Sequence, residues 1–370
     1  MKENVMRAKI TLAAANCWFV GAALAQTSVG QGPVSGSSVT LFGIVDAAVA
    51  YGTGSISHKT QLVSGASAPS RLGFRGTEDL GGGLGANFWL EAGFNSDDGT
   101  GAASNTNNQP DGATTGNAVA FNRRSTVSLI DLWGELRLGR DFTAPYRNRE
   151  QPDPFGTNGV GASQANVGTI AGTTATRASN MVGYFLPPGL GGFFGEVQYF
   201  MGENDSNAPN PDDGDGYAAR IGYGIGPFGI AVASGNTQYA RTATTGNIKV
   251  VNVGAFYDFG FFKLTGGYYR DKVESILPVT GTGYLVGGVI PLSVDQVRLS
   301  YSTYGTDAVG DPRTRKFAIG YVYYFSKRTL AYATYAHVHN SGGAFSALNG
   351  AMTDPDRSST GYDFGLRHNF

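Results

Sequence analysis

The side chains of this sequence with chemical potential are arginines and carboxylates set at mid-strand, not gathered into a motif. Between Ser70 and Asn95, reading SRLGFRGTEDLGGGLGANFWLEAGFN, Arg71, Gly73, Arg75 and Thr77 point one way and Leu72 and Phe74 the other. The second arm repeats the alternation: Phe88, Leu90, Ala92 and Phe94 share one side, Asn87, Trp89, Glu91 and Asn95 the opposite one. Period two marks a strand whose two faces meet different surroundings. Further on, Arg124 opposes the apolar Val127/Leu129 face, which leaves Arg123 outward or at a rim. Arginines on different strands at similar heights make a positive ring, and charged rings set the ion preference of a pore. The competing reading of these side chains is ion pairing with Glu91 or Asp46.

Other chemistries find less support. G-x-S-x-G, H-E-x-x-H, S-x-x-K and Walker patterns are absent, and the chain has four histidines, so an enzyme is not expected. Asp205, Asp212, Asp213 and Asp215 form an oxygen-rich stretch with the look of a calcium loop. Clusters of Asp, Gly and Pro more commonly make solvated turns, which is the reading preferred here. His337 and His339 lie two apart on one strand face without an identifiable third ligand, and are read as polar residues of the lumen. No metal and no cofactor is expected.

The elements that must carry these residues are strands. The chain is 41% hydrophobic and only 15% charged, with 56 glycines in 370 residues. Mean hydropathy is −0.15, so a helical polytopic protein is excluded, while a barrel hides its apolar half by alternation. The joint of the first hairpin, Leu80 to Gly85, is glycine-rich and tight, so its arms pair antiparallel. The unit recurs about eight times with nothing else to make a core. Sixteen strands result, from Val39–Tyr51 to Thr360–Phe370, with short turns alternating with long loops. Gly52 to Pro69 reads as the first outer loop, and the longest stretch without strand pattern, Ala144 to Ala178, demands a function of its own. The expected class is all-β: a 16-stranded antiparallel transmembrane β-barrel.

The first 25 residues read as a signal peptide. Lys2, Arg7 and Lys9 form a basic start, Ile10 to Ala23 an apolar run, and Ala23-Leu24-Ala25 a small-residue cleavage site. Residues 26–370 then form the barrel, free of cysteine because Cys17 is lost. Removal takes three Lys/Arg and one Glu, leaving 24 basic and 27 acidic residues, a balance of −3. That balance gives no reason to expect a nucleic-acid partner.

Several stretches resemble the Gram-negative general porins, specifically the β-proteobacterial group: VTLFGIVD at 39, SRLGFRGTEDLGGGL at 70, RRSTVSL at 123, GELRLGRD at 134, the SKRT turn at 326 and the terminal GLRHNF. They span essentially the whole mature chain. The resemblance implies a homotrimer of sixteen-stranded barrels in the outer membrane, in contact with its lipid. Each barrel would have its own pore for small hydrophilic solutes and ions, narrowed at mid-height by an inward-folded third loop. It also implies a constriction in which wall arginines, here Arg71, Arg124 and Arg177, face acids of that loop. Asp153 in PDPFG takes the place of the family's acidic P-E-F residue, with Glu150 nearby. This loop departs from the pattern by carrying Arg147 and Arg149 too, which pushes the expected selectivity toward anions. Phe370 resembles the C-terminal signal read by the outer-membrane assembly machinery. The alternative is a substrate-selective channel with a defined binding site, which would need aromatics tracking the lumen.

Overall fold

The computed structural model describes residues 36–110 and 120–370. The targeting segment expected at 1–25 lies outside the described residues. Seventeen strand segments are described. In order they begin β1 (Ser38–Thr53), β2 (His58–Ser64), β3 (Arg71–Gly81), β4 (Leu84–Gly93), β5 (Arg124–Asp131) and β6 (Gly134–Phe142). β7 (Arg177–Phe185), β8 (Phe193–Phe200), β9 (Gly216–Ile225), β10 (Phe228–Thr237), β11 (Ile248–Asp258) and β12 (Lys263–Val273) follow. β13 (Val279–Leu292), β14 (Asp295–Thr306), β15 (Arg313–Tyr324), β16 (Thr329–Ser341) and β17 (Ser359–Asn369) complete the wall. Neighbours pair antiparallel, and β17 returns to β1 from Ile44↔Asn369 to Thr53↔Thr360, closing the sheet on itself. Closure leaves no free edge, the condition for crossing a bilayer with strands. No helix among the described residues is long and apolar enough to cross a membrane.

Seventeen segments make sixteen staves. β1 pairs through its first half with β3, Ser38↔Thr77 to Ile44↔Arg71, and through its second half with β2, Ala47↔Ser64 to Thr53↔His58. β2 and β3 are one stave interrupted at residues 65–70. This corrects the outer loop expected over Gly52–Pro69: the HKTQLVS segment lacks a clean apolar alternation, yet its backbone completes the ladder beside β1. The interruption is held by Asp46, whose Oδ2 accepts the N–H of Ser67 at 3.0 Å and of Ala68 at 2.7 Å.

The seam is locked by the last residue. Phe370 and Gly43 exchange both backbone hydrogen bonds at 3.0 Å, and the Phe370 ring occupies the space where a Cβ on residue 43 would stand. Outside, Val45, Val127, Val197, Ile221, Val286 and Phe364 are exposed apolar positions of a band that suits lipid. Inside, Asp46, Glu91, Arg137, Arg220, Asp271 and Asp363 are buried polar positions.

The long loop between β6 and β7 runs along the inner wall. It holds two short helices, α1 (Ala144–Glu150), which packs on β8 to β11, and α2 (Gln164–Val167), which packs on β13 to β15. Pro145 opens α1, where a missing N–H costs nothing. Small wall residues make the bed. A Cβ on Gly235, Gly254, Gly287 or Gly320 would press on Pro145, Pro152, Pro154 or Phe155 of the loop respectively, with nearest approaches of 2.7 to 3.2 Å. Those glycines, one on each of β10, β11, β13 and β15, let the loop lie flush against the barrel.

Candidate functional site: the arginine wall and the inward loop

Arg71, Arg124 and Arg177 each open a strand segment, β3, β5 and β7, with Arg71 standing just past the break in its stave. Arg71 and Arg124 face the lumen as their alternation predicts, since Leu72 with Phe74 and Val127 with Leu129 lie on the outer face of the same strands. Arg123 does not turn outward as expected. Its N–H donates to the carbonyl of Glu91 at 3.1 Å, while Arg124 is the cross-strand partner of that same Glu91. Two residues therefore oppose one, the alternation is broken, and both arginines reach the interior. Arg123 Nε lies 2.5 Å from Glu91 Oε1, and Arg71 Nε lies 3.6 Å from the same oxygen. The ion-pair reading thus holds for Glu91. Asp46 is engaged instead by Tyr332 and the 65–70 backbone.

Arg177 donates through Nε to the Arg123 carbonyl at 2.9 Å and lies over the Phe142 ring, 4.3 Å from its centroid. Arg140 joins the group through hydrogen bonds to the Asn122 carbonyl (2.6 Å) and Ser179 Oγ (2.7 Å). A register shift between Gly139 and Asp141 brings it there; strict alternation from Arg137 would have sent it outward. The glycine of LGRD, held at φ +121°, was the only trace of this irregularity in the sequence.

A second cluster lies beside the first. Arg137 pairs with Glu135 at 2.8 Å and with Asp141 at 2.6 Å. Asp141 also takes Arg147 at 2.7 Å and Arg124 at 3.6 Å, and Arg147 reaches Glu196 at 3.2 Å. Three guanidiniums meet three carboxylates.

The loop residues divide in a way their spacing did not announce. Arg147 and Arg149 were read as lumen charges; they are anchors instead. Arg147 binds wall acids of β6 and β8, and Arg149 is buried with its Nη2 3.0 Å from Asp271 of β12. Asn148 between them spans Ala231 and Asn252, with Nδ2 2.7 Å from Asn252 Oδ1. Asp153, expected to face the arginines, is enclosed by its own loop. It accepts the N–H groups of Phe155 (3.0 Å) and Ser163 (2.9 Å) and Nδ2 of Asn166 (2.8 Å). Its carboxyl is raised by burial, opposed by those hydrogen bonds. Glu150 is different: mostly buried but not sealed off, it feels Arg123, Arg71 and Arg177, which temper the rise that burial imposes on its carboxyl.

Of the remaining chemistry-bearing residues, Asp213 accepts from the N–H of Ala240 and Asp215 from that of Gly202, both as loop braces. Among the described residues no three acid, histidine or cysteine side chains gather as a metal-binding group. His337 and His339 point outward, not into the lumen, because their neighbours Ala336 and Val338 take the inward positions under Phe155 and Leu348.

A closed antiparallel barrel with an apolar exterior, a charged lumen and a loop laid along its inner wall is a transmembrane channel. Comparison with known proteins places it more closely. The model of the Gram-negative porin family matches residues 11–343, and the chain belongs to that family. It is 32% identical over 363 residues to outer membrane porin protein 32 of Delftia acidovorans, covering 94% of this chain and 98% of the relative. It is 28% identical over 422 residues to an outer membrane porin of Bordetella pertussis, covering 99% and 100%. The solved anion-selective porin from Comamonas acidovorans superposes with a TM-score of 0.80 at 31% identity, over 90% of this chain and 100% of that one. The protein is an outer-membrane porin: a channel, not an enzyme.

Proposed function

We propose that the pore passes small hydrophilic solutes and ions by diffusion with a modest preference for anions, set by Arg71, Arg123, Arg124 and Arg177 across from Glu150. One observation carries this: among the described residues Arg71 and Arg123 share Glu91, Arg124 shares Asp141 with two other arginines, and Arg177 has no carboxylate at ion-pair distance. The chain is net negative, yet charges farther than about 8–10 Å from a passing ion are largely screened at physiological salt. The local surplus therefore outweighs the distant acids, and low-dielectric walls focus its field. The similarity to a solved porin described as anion-selective supports the same sign. Asp153 is left out of the filter because its carboxylate is closed off within the loop. The test is the reversal potential in a KCl gradient for wild type and for Arg71→Gln with Arg123→Gln. An anion-selective wild type that loses most of its preference in the double variant supports the assignment; a cation-selective wild type overturns it.

We also propose a homotrimer, with Val45, Ala47 and Val49 on the outer face of β1 as part of the contact. Gly43 drops out of the stripe expected there because Phe370 covers it. Light scattering of detergent-solubilised, pore-active protein should give three times the chain mass. Residues 1–25 are proposed as a cleaved leader, so that N-terminal sequencing of the membrane-inserted protein begins at Gln26. Phe370 is proposed as the assembly signal; its deletion should abolish insertion in cells while refolding in detergent persists at reduced yield.

A further inference from the structure

Most guanidiniums of the arginine wall are spoken for; one is not. Arg75 lies on β3 with an exposed side chain, and among the described residues it has no carboxylate partner. Its cross-strand neighbour is Trp89 of β4, four pairs closer to the short-turn end than the Arg71↔Gly93 pair. The Arg75 Cζ stands 5.2 Å from the Trp89 centroid and 5.5 Å from that of Phe42. The two rings meet edge to face at 5.1 Å, and Gly73 leaves the Phe42 ring its space by having no side chain. From β5, the other neighbour of β4, Arg124 lies over Trp89 at 4.4 Å, and Trp89 Nε1 donates to Glu91 Oε2 at 3.1 Å, fixing the indole. An arginine plane backed by aromatic rings keeps its fork and its second face available, and that face stacks on another aromatic plane.

We propose that Arg75, backed by Trp89 and Phe42, is a subsite for aromatic carboxylates on the turn-side exit of the arginine wall. This rests on the anion-passing reading above and narrows it: any anion is drawn to the wall, but a planar aromatic one pauses at Arg75. The carboxylate takes the free fork, and the ring covers the lumen face of the guanidinium.

Trp89 reports directly. In a Trp133→Phe background, with Trp89→Phe as the control that identifies its emission, the full protein in detergent is titrated with 4-nitrobenzoate. Saturable quenching of Trp89 is expected, relieved by benzoate and not by cyclohexanecarboxylate at equal concentration. Arg75→Gln should weaken the half-saturation at least fivefold. Arg75→Lys, which keeps the charge and loses the plane, should erase the preference for benzoate over cyclohexanecarboxylate. Quenching that stays linear in concentration, or equal relief by both competitors, overturns the subsite. So does unchanged half-saturation in Arg75→Gln. The KCl reversal potential of the same preparation separates the two levels: an anion-selective pore without saturable quenching sinks only the subsite, whereas a cation-selective pore sinks the reading beneath it.

Discussion

The two halves of the inner wall carry charge for different ends. From β8 round to β17 the wall lies behind the inward loop, and its charged groups bind that loop: Arg149 to Asp271, and Lys316 Nζ to the Ala162 carbonyl at 2.8 Å. The Val160 N–H likewise donates to Asp363 at 2.8 Å. From β3 to β5 neither helix of the loop packs on the wall, the loop reaching this side only at β6 and β7 through Arg147 and Ala144, and the lumen-facing charge is mostly positive. A charge matched by a buried partner holds structure, whereas a charge in surplus at the lumen acts on what passes. The family pattern of wall arginines and loop acids does not separate these roles; the partners do.

Removing the surplus should have the largest effect. With Arg71, Arg123 and Arg177 all changed to Gln, Glu91 and Glu150 are left without these three countercharges, and the reversal potential in a KCl gradient should change sign. An unchanged sign would place the filter elsewhere. Arg147→Gln attacks the matched cluster. Breaking a buried pair costs about 3–5 kcal/mol, so unfolding in denaturant should come earlier. Anion preference should also fall, since Asp141 and Glu196 lose their shared partner. The double consequence is the mark of an anchor that also balances charge.

On the covered half, Gly287→Leu drives a side chain into Pro154, whose Cγ lies 2.7 Å from the position of a new Cβ. Overpacking of this kind costs about 1–3 kcal/mol. Single-channel conductance should change as the loop shifts, while the sign of selectivity persists because the arginines opposite are untouched. The smallest effect is expected from pH. Glu150 is raised by burial, so it takes up its proton above the ordinary glutamate range as pH falls. Its negative charge then disappears from beside the arginines, and anion preference should grow on acidification. Glu150→Gln should show the stronger preference already at neutral pH and lose the upper part of the pH response.

Alternation alone determined much of this protein. Period two marked the hairpin at 70–95, and with it the inward aim of Arg71 and Arg124 and the outward aim of their apolar neighbours, because a strand leaves a side chain only two directions. Turn chemistry separated the short joints from the long loops and gave the count of staves. What alternation could not reach were its exceptions. Arg123 and Arg140 entered the lumen where two residues oppose one or the register slips, and such irregularities are set by pairing with a distant strand. The loop was harder still. Arg147, Arg149 and Asp153 look alike as charges in a row, and only tertiary contact with β6, β8 and β12, or with the loop's own backbone, decided that they would anchor and not filter. Spacing along a chain fixes which way a side chain points within a ladder; which charge it finds there depends on residues tens to hundreds of positions away, and those meet only when the barrel closes.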